Sequence, residues 1–207
     1  MADETEFLRD KRQYKRGYAR KSEIMDAVVR ILGTPIQEKF TTKEIAAQIH
    51  VSEACIYRHF SGKTEIMLAV LRRSEELLIK TLRSAEAYPS VSMLDRVYIK
   101  LQFLLLFAWK NPGLTRVLTG EALVYEHPSL LEEKNKILLT IQESIKNSLI
   151  LASINREAPE KLDAIVWTQL MMDFVTAQWL KFSQGGFKEN PAKPLDRVAP
   201  ILFSFKN

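Results

Sequence analysis

A single cysteine, Cys55, leaves the chain unable to close an internal disulfide, so packing must hold it together. Such sparing use suits a reducing compartment. Long apolar runs are missing as well: the longest, Phe103 to Trp109, falls far short of the about 20 residues that span a bilayer. The N-terminus opens on acids (Asp3, Glu4, Glu6) and carries no apolar segment after its basic stretch, unlike a secretory signal. The expectation is a cytoplasmic protein without membrane insertion. Glycine and proline number only 7 and 8, and alternating β-branched segments are nearly absent, which leaves little room for strands.

What remains is 46% apolar and 27% charged, enough for one good core and a small appended domain, and outside the disordered and fibrous classes. The net charge of +5 is unevenly placed. Met1 to Arg73 holds 14 Lys/Arg against 10 Asp/Glu, whereas the remainder is nearly balanced. Arg9 to Lys21 concentrates the excess: Arg9, Lys11, Arg12, Lys15, Arg16, Arg20 and Lys21 against Asp10, with Tyr14 and Tyr18 interleaved. Such a run is usually a solvated terminus; beside a DNA-reading motif it suits a phosphate or minor-groove arm.

Apolar spacing near 3.6 residues recurs throughout and predicts an all-α chain. A first amphipathic helix through Ile24, Val28 and Leu32 stops at Gly33 and Pro35. Thr41 and Glu44 form a capping box for a short second helix through Ile45, Ala46 and Ile49, and Ser52 is a good N-cap for a third over Glu53 to Phe60. A long fourth helix runs from Lys63 to about Ala87, ended by Pro89. Further helices are expected near Ser92–Lys110, Leu114–Tyr125, Ser129–Ser153, Glu160–Ser183 and Leu195–Phe205. This divides the chain into a basic arm (1–21), a DNA-binding domain (22–73) and a helical dimerisation or regulatory domain (74–207).

A third helix of two turns must be held by its neighbours. Ile56 and Phe60 share a face and can pack on Ile45, Ile49 and Val28, with Ala46 at the close approach, which leaves the other face for a DNA groove. The outward residues divide by chemistry. Thr41, Thr42, Ser52, Tyr57, His59 and Lys63 are donors suited to phosphate oxygens, which position without reading sequence. Glu53, Ala54, Cys55 and Arg58 are the candidates for base edges.

The run TTKEIAAQIHVSEACIYRHFSGKTEIM resembles the N-terminal domain of the TetR family of bacterial regulators, with Thr42, Ile45, Ala46, Val51, Ser52, Ile56, Tyr57, Phe60 and Lys63 on matching positions. The resemblance implies a three-helix DNA-binding domain on a larger all-helical domain that dimerises through its last two long helices. His50 stands where that family usually has glycine. A second likeness lies in NPGLTRVLTGEALVYE, Asn111 to Glu126, with GFKENP and LDRVAPIL near the end: these resemble the nucleoid-occlusion branch of the family. It implies binding to chromosomal sites and antagonism of FtsZ, whose tail would lie between the fourth and fifth helices, with Lys110 and Asn111 as partner-binding residues. Arg73 and Thr81 stand where that likeness leads one to expect an aromatic residue and an arginine.

Other readings have less behind them. Ser61-Gly62-Lys63-Thr64 copies the end of a P-loop, but Tyr57 stands where its first glycine belongs. Cys55 and His59 lack a second pair of metal ligands, and a small core thiol is the plainer reading of Cys55. Neither cofactor nor metal is expected, and no nucleophile, base and orienter come together as an enzyme requires. Trp109, Trp167 and Trp179, with Phe103, Phe107, Phe174 and Phe182, suit core packing or a pocket for an apolar effector, as in a ligand-released repressor. Polar interruptions along the Glu160 helix (Lys161, Asp163, Gln169, Asp173, Gln178, Lys181) suit a helix packed on two sides, and a homodimer matches the two-fold symmetry of helix-turn-helix operators.

Overall fold

The computed structural model describes residues 2–35, 40–87 and 90–206, with the side chains of 2–16 and of Lys206 outside the described set. Every regular element among them is helical: α1 (Ala2–Leu32), α2 (Thr42–Gln48), α3 (Glu53–Tyr57), α4 (Lys63–Ala85), α5 (Met93–Lys110), α6 (Pro112–Leu118), α7 (Pro128–Ile154), α8 (Ala164–Gln184) and α9 (Leu195–Leu202). Short 3-10 turns at Glu121–Leu123 and Ser204–Lys206 complete the set. The expected stop at Pro89 lies outside the described residues, as do the side chains of Arg9 to Arg16 in the basic arm. The arm's backbone continues α1 without a break, so its boundary with the next segment falls inside a helix.

Several ends differ from the sequence expectation, each for a local reason. The helix expected over Leu114–Tyr125 is only seven residues long, because Gly120 takes a left-handed conformation at φ 86° and turns the chain into the 3-10 segment. It also begins earlier, with Pro112 in its first turn, where a missing N–H costs nothing. The Asp163 carboxylate accepts from the amides of Ile165 and Val166, so α8 starts there rather than at Glu160. Ser92 caps α5 as a side-chain acceptor for the Asp95 amide.

Helices α4, α5, α7 and α8 pack around one continuous apolar core that extends into α1, α2 and α3. Trp179 lies at its centre and donates its indole N–H to the Leu104 carbonyl, 3.0 Å away. Phe107 and Phe182 are buried beside it, so these aromatics are packing residues. Charge also enters the interior. Lys100, 2% exposed, donates to the Ser144 carbonyl, to the hydroxyls of Ser144 and Ser148, and to Glu86 at 2.7 Å. With Arg96 also on Glu86 at 2.7 Å, the carboxyl is held below its ordinary range although burial pulls the other way.

The small domain is fastened to the large one mainly where α6 meets α1. Gly113 lies so near the last turn of α1 that a Cβ there would stand 2.0 Å from the Val29 carbonyl oxygen. Arg116, buried against the Phe187 ring, donates to the carbonyls of Leu32 (2.7 Å) and Thr34 (2.6 Å). Leu32 is the last residue of α1, whose final carbonyls have no helical partner of their own, and Thr34 lies just beyond it.

Candidate nucleic-acid interface

Helix α2 begins at a capping box. The Thr41 hydroxyl accepts from the Glu44 amide at 3.2 Å while the Thr41 amide donates to the Glu44 carboxylate at 2.6 Å. His50 ends the helix with φ 55°, the left-handed conformation that turns the chain toward α3 and costs a non-glycine residue on the order of 1 kcal/mol. Val51 donates back to the Ala46 carbonyl at 3.0 Å and locks the turn.

Ile45, Ala46, Ile49, Ile56 and Phe60 are all buried in the common core, and they fix the angle between α2 and α3. Helix α3 is shorter than Glu53 to Phe60: regular geometry ends at Tyr57, and the chain closes through Phe60 N–H to the Ile56 carbonyl at 3.0 Å. The Ser52 hydroxyl makes no capping bond. Cys55 corrects the assignment to a base edge, since it is 7% exposed and turned into the core beside Ile56. A small thiol is tolerated there as an apolar residue.

The outer surface then consists of Thr41, Ser52, Glu53, Ala54, Tyr57 and Arg58, all exposed, with Thr42, His59 and Lys63 half-buried at its edges. Three of these form a network that residue spacing does not show. The Thr42 hydroxyl donates to the Glu53 carboxylate and lies 3.4 Å from the Tyr57 hydroxyl, tying the start of α2 to α3. Glu53 is therefore engaged within the protein in this state. Positive charge gathers alongside: partial burial holds His59 below its ordinary value, and Arg58, Arg20 and Lys21 act on it in the same direction. Lys21 also sits over the Phe60 ring at 5.1 Å, which brings the end of the basic stretch to the back of α3.

Lys63, expected at a phosphate, instead pairs with Glu126 at 2.6 Å and lies over the Phe40 ring at 4.1 Å. Glu126 is 63 residues away, and nothing in the sequence points to it. The second group of expected residues sits at the junction of α5 and α6. Asn111 ends one helix and begins the next, its side-chain amide donating to the Phe107 carbonyl at 2.8 Å, while Lys110 is exposed beside it. Arg73 pairs with Asp26 on α1, and the Thr81 hydroxyl bonds back to the Leu77 carbonyl at 2.7 Å.

Residues 37–70 match a family profile described as bacterial regulatory proteins, tetR family, and residues 92–205 match one described as tetracyclin repressor-like, C-terminal domain, of the SlmA-like kind. The chain is 31% identical to the nucleoid occlusion factor SlmA of Idiomarina loihiensis over 174 residues, which are 84% of this chain and 88% of that protein. It is 28% identical to SlmA of Vibrio atlanticus, covering 88% and 93% of the two chains. Among solved structures, the fatty acid degradation regulator FadR of Bacillus halodurans superposes with a TM-score of 0.75 at 16% identity over 88% of this chain and 93% of that one. FadR of Bacillus subtilis, in complex with stearoyl-CoA, gives 0.73 at 17% over 88% and 97%. At that identity the structures speak for the fold alone.

Proposed function

The chain belongs to the TetR family of bacterial regulatory proteins, with a C-terminal domain of the SlmA-like kind, and from that premise we propose that it is a sequence-specific DNA-binding protein that acts as a nucleoid-occlusion factor. One observation carries the DNA reading: a helix of five residues whose inner side is sealed into the core while Tyr57, Ala54 and Arg58 face outward, flanked by cationic Arg20 and Lys21. Such a helix enters a major groove with its supports behind it. Thr41, Thr42, Ser52, Tyr57 and His59 are assigned to phosphates, and Ala54 and Arg58 to base edges.

The active form is a homodimer. The outer faces of the two longest C-terminal helices carry apolar residues without cover: Leu139, Ile150 and Ile154 on α7, and Ile165, Val166 and Leu170 on α8. Gln142 of α7 donates to Gln169 of α8 at 3.1 Å and joins the faces. Helix α7 has the length and hydropathy of a bilayer span. Its inner face nevertheless packs on α4, α5 and α8, and in the proposed dimer a two-fold bundle would cover its outer one. In a dimer the two copies of α3 would read half-sites one helical turn, or a multiple of it, apart.

Antagonism of FtsZ assembly is the finer part of the proposal and rests on the SlmA relatives, with Lys110 and Asn111 as the contacts at the end of α5. Sedimentation of the full-length protein with a peptide of the FtsZ C-terminal tail, with and without duplex DNA, tests it. DNA-enhanced association supports the proposal; its absence removes the division role and leaves a DNA-binding regulator. A second reading, a repressor released by a small effector, draws on a cavity of about 370 Å³ between α6, α7 and α8, lined by Leu118, Leu138, Trp179 and Leu180. Lys134 and Asp173 also line it, with burial holding the Lys134 ammonium below its ordinary value, which suits a largely apolar ligand with a polar head. Loss of DNA binding on adding a long-chain fatty acid would favour that reading.

A further inference from the structure

Lys63 and Glu126 form the contact that the DNA-binding reading leaves unexplained. The ammonium is 2.6 Å from the carboxylate, with the two side chains 24% and 15% exposed, and the Phe40 ring closes one side at 4.1 Å. Lys63 opens α4, directly after the helix-turn-helix. Glu126 ends the segment that follows left-handed Gly120: Leu123 is buried in the core and anchors its start, Thr119 donates to Glu121 at 3.0 Å, and the Glu126 amide donates to the Leu123 carbonyl at 3.1 Å. An acid of the large domain thus occupies the cation that the small domain offers to DNA.

We propose that Glu126 is an internal competitor for the phosphate site at Lys63, so that DNA binding displaces it and loosens the turn from Val124 to Glu126 beyond the Leu123 anchor. The inference rests on the DNA-binding reading above. A phosphate oxygen and a carboxylate oxygen offer Lys63 the same charge-assisted bond. Both cannot settle beside the same half-buried ammonium without like-charge repulsion. While the pair holds, Lys63 contributes nothing to the attraction for phosphates. Linkage makes the effect reciprocal: a partner that holds the Glu126 segment in place weakens DNA binding, and DNA loosens the segment by the same factor. The two domains exchange a signal at this point without a ligand cavity.

The test uses full-length protein and a fluorescein-labelled 40-base-pair duplex of random sequence, which reports phosphate binding alone. Wild type is compared with Glu126→Gln, Lys63→Gln and the double variant across a salt series. Glu126→Gln is expected to bind about fivefold tighter at 0.1 M salt, the effect of releasing one half-buried pair, with a salt slope steeper by about one. In the Lys63→Gln background the same change is expected to add nothing. Hydrogen exchange at 124–126 should speed up when wild type binds the duplex, and should already be fast in free Glu126→Gln. Unchanged affinity in Glu126→Gln would overturn the proposal. So would a gain of equal size in the Lys63→Gln background, which would mark a general charge effect. Should Glu126→Gln fail to fold, Glu126→Asp keeps the charge but withdraws it by one methylene; a smaller gain supports the contact and no gain refutes it. Failure of every form to bind any duplex would refute the DNA reading itself.

Discussion

Gly113→Ala is expected to loosen the joint between the two domains, and competing magnitudes decide its sign. Alanine is the better helix former by about 0.5–1 kcal/mol, so propensity alone would stabilise α6. The new Cβ would stand 2.0 Å from the Val29 carbonyl oxygen, 2.9 Å from its carbon and 3.1 Å from the Gly33 nitrogen, all backbone atoms that no rotamer change can move. Helix α6 must therefore retreat from α1 by more than about 1 Å to reach ordinary contact. Overpacking of this kind costs about 1–3 kcal/mol. The retreat also stretches both Arg116 bonds, now 2.7 and 2.6 Å, out of range, and a bond to a charged group contributes about 1.5–3 kcal/mol. The net loss comes to about 3–5 kcal/mol, or a fall in Tm on the order of 10 °C for a domain of this size. Urea and thermal unfolding followed by circular dichroism measure it. Because the same bonds are lost twice, Arg116→Gln should cost much less in the Gly113→Ala background than alone. A Tm that holds or rises would mean that α6 does not bear on α1 as described.

The ion pair at Lys100 should respond asymmetrically. Glu86→Ala, which leaves a buried ammonium with only hydroxyl and carbonyl partners, is expected to cost about 1–3 kcal/mol, whereas Lys100→Met removes the charge and costs less; urea midpoints compare the two. Since the folded state holds the Glu86 carboxyl below its ordinary range, this stabilisation is present above that range and lost as pH falls through the lowered value. His59 is held low by burial and by its cationic neighbours, so the unfolded chain takes up the proton first and stability falls as pH drops below the ordinary imidazole range. Phosphates favour the charged imidazole, so binding to a duplex should tighten from pH 7.5 to 5.5, and His59→Gln should flatten that trend in anisotropy titrations. Ile154→Lys together with Ile165→Lys places like charges on the outer faces of α7 and α8, and is expected to give a monomer by sedimentation equilibrium that keeps its helical circular dichroism.

Local signals carried much of this architecture. The capping box at Thr41 and Glu44 and the stop at Gly33 are written in neighbouring residues, and the helices follow from them. The left-handed His50 could be inferred only from the resemblance, since the turn geometry belongs to the pair of helices rather than to the residue. The inward face of the motif was readable from i,i+4 spacing, whereas Cys55 carried two readings, a base edge and a small core thiol, because a helix of five residues offers too few turns to fix its rotation. Contacts between distant segments left no trace at all. The bonds of Thr42 to Glu53, Lys63 to Glu126 and Arg116 to the end of α1 join residues whose separation has no period. Ending α6 at Gly120 depended on a backbone angle that the surrounding apolar pattern concealed.

The central claim, that the outer surface of α2 and α3 reads DNA, is tested most directly by genome-wide mapping of DNA cross-linked to the full-length protein in its host, with Tyr57→Ala and Arg58→Ala mapped alongside. The expected result is a set of discrete sites scattered over the chromosome and sharing a pseudo-palindromic sequence, lost in Tyr57→Ala and altered in sequence in Arg58→Ala. Enrichment that is absent, or that is identical in all three proteins, would contradict the account.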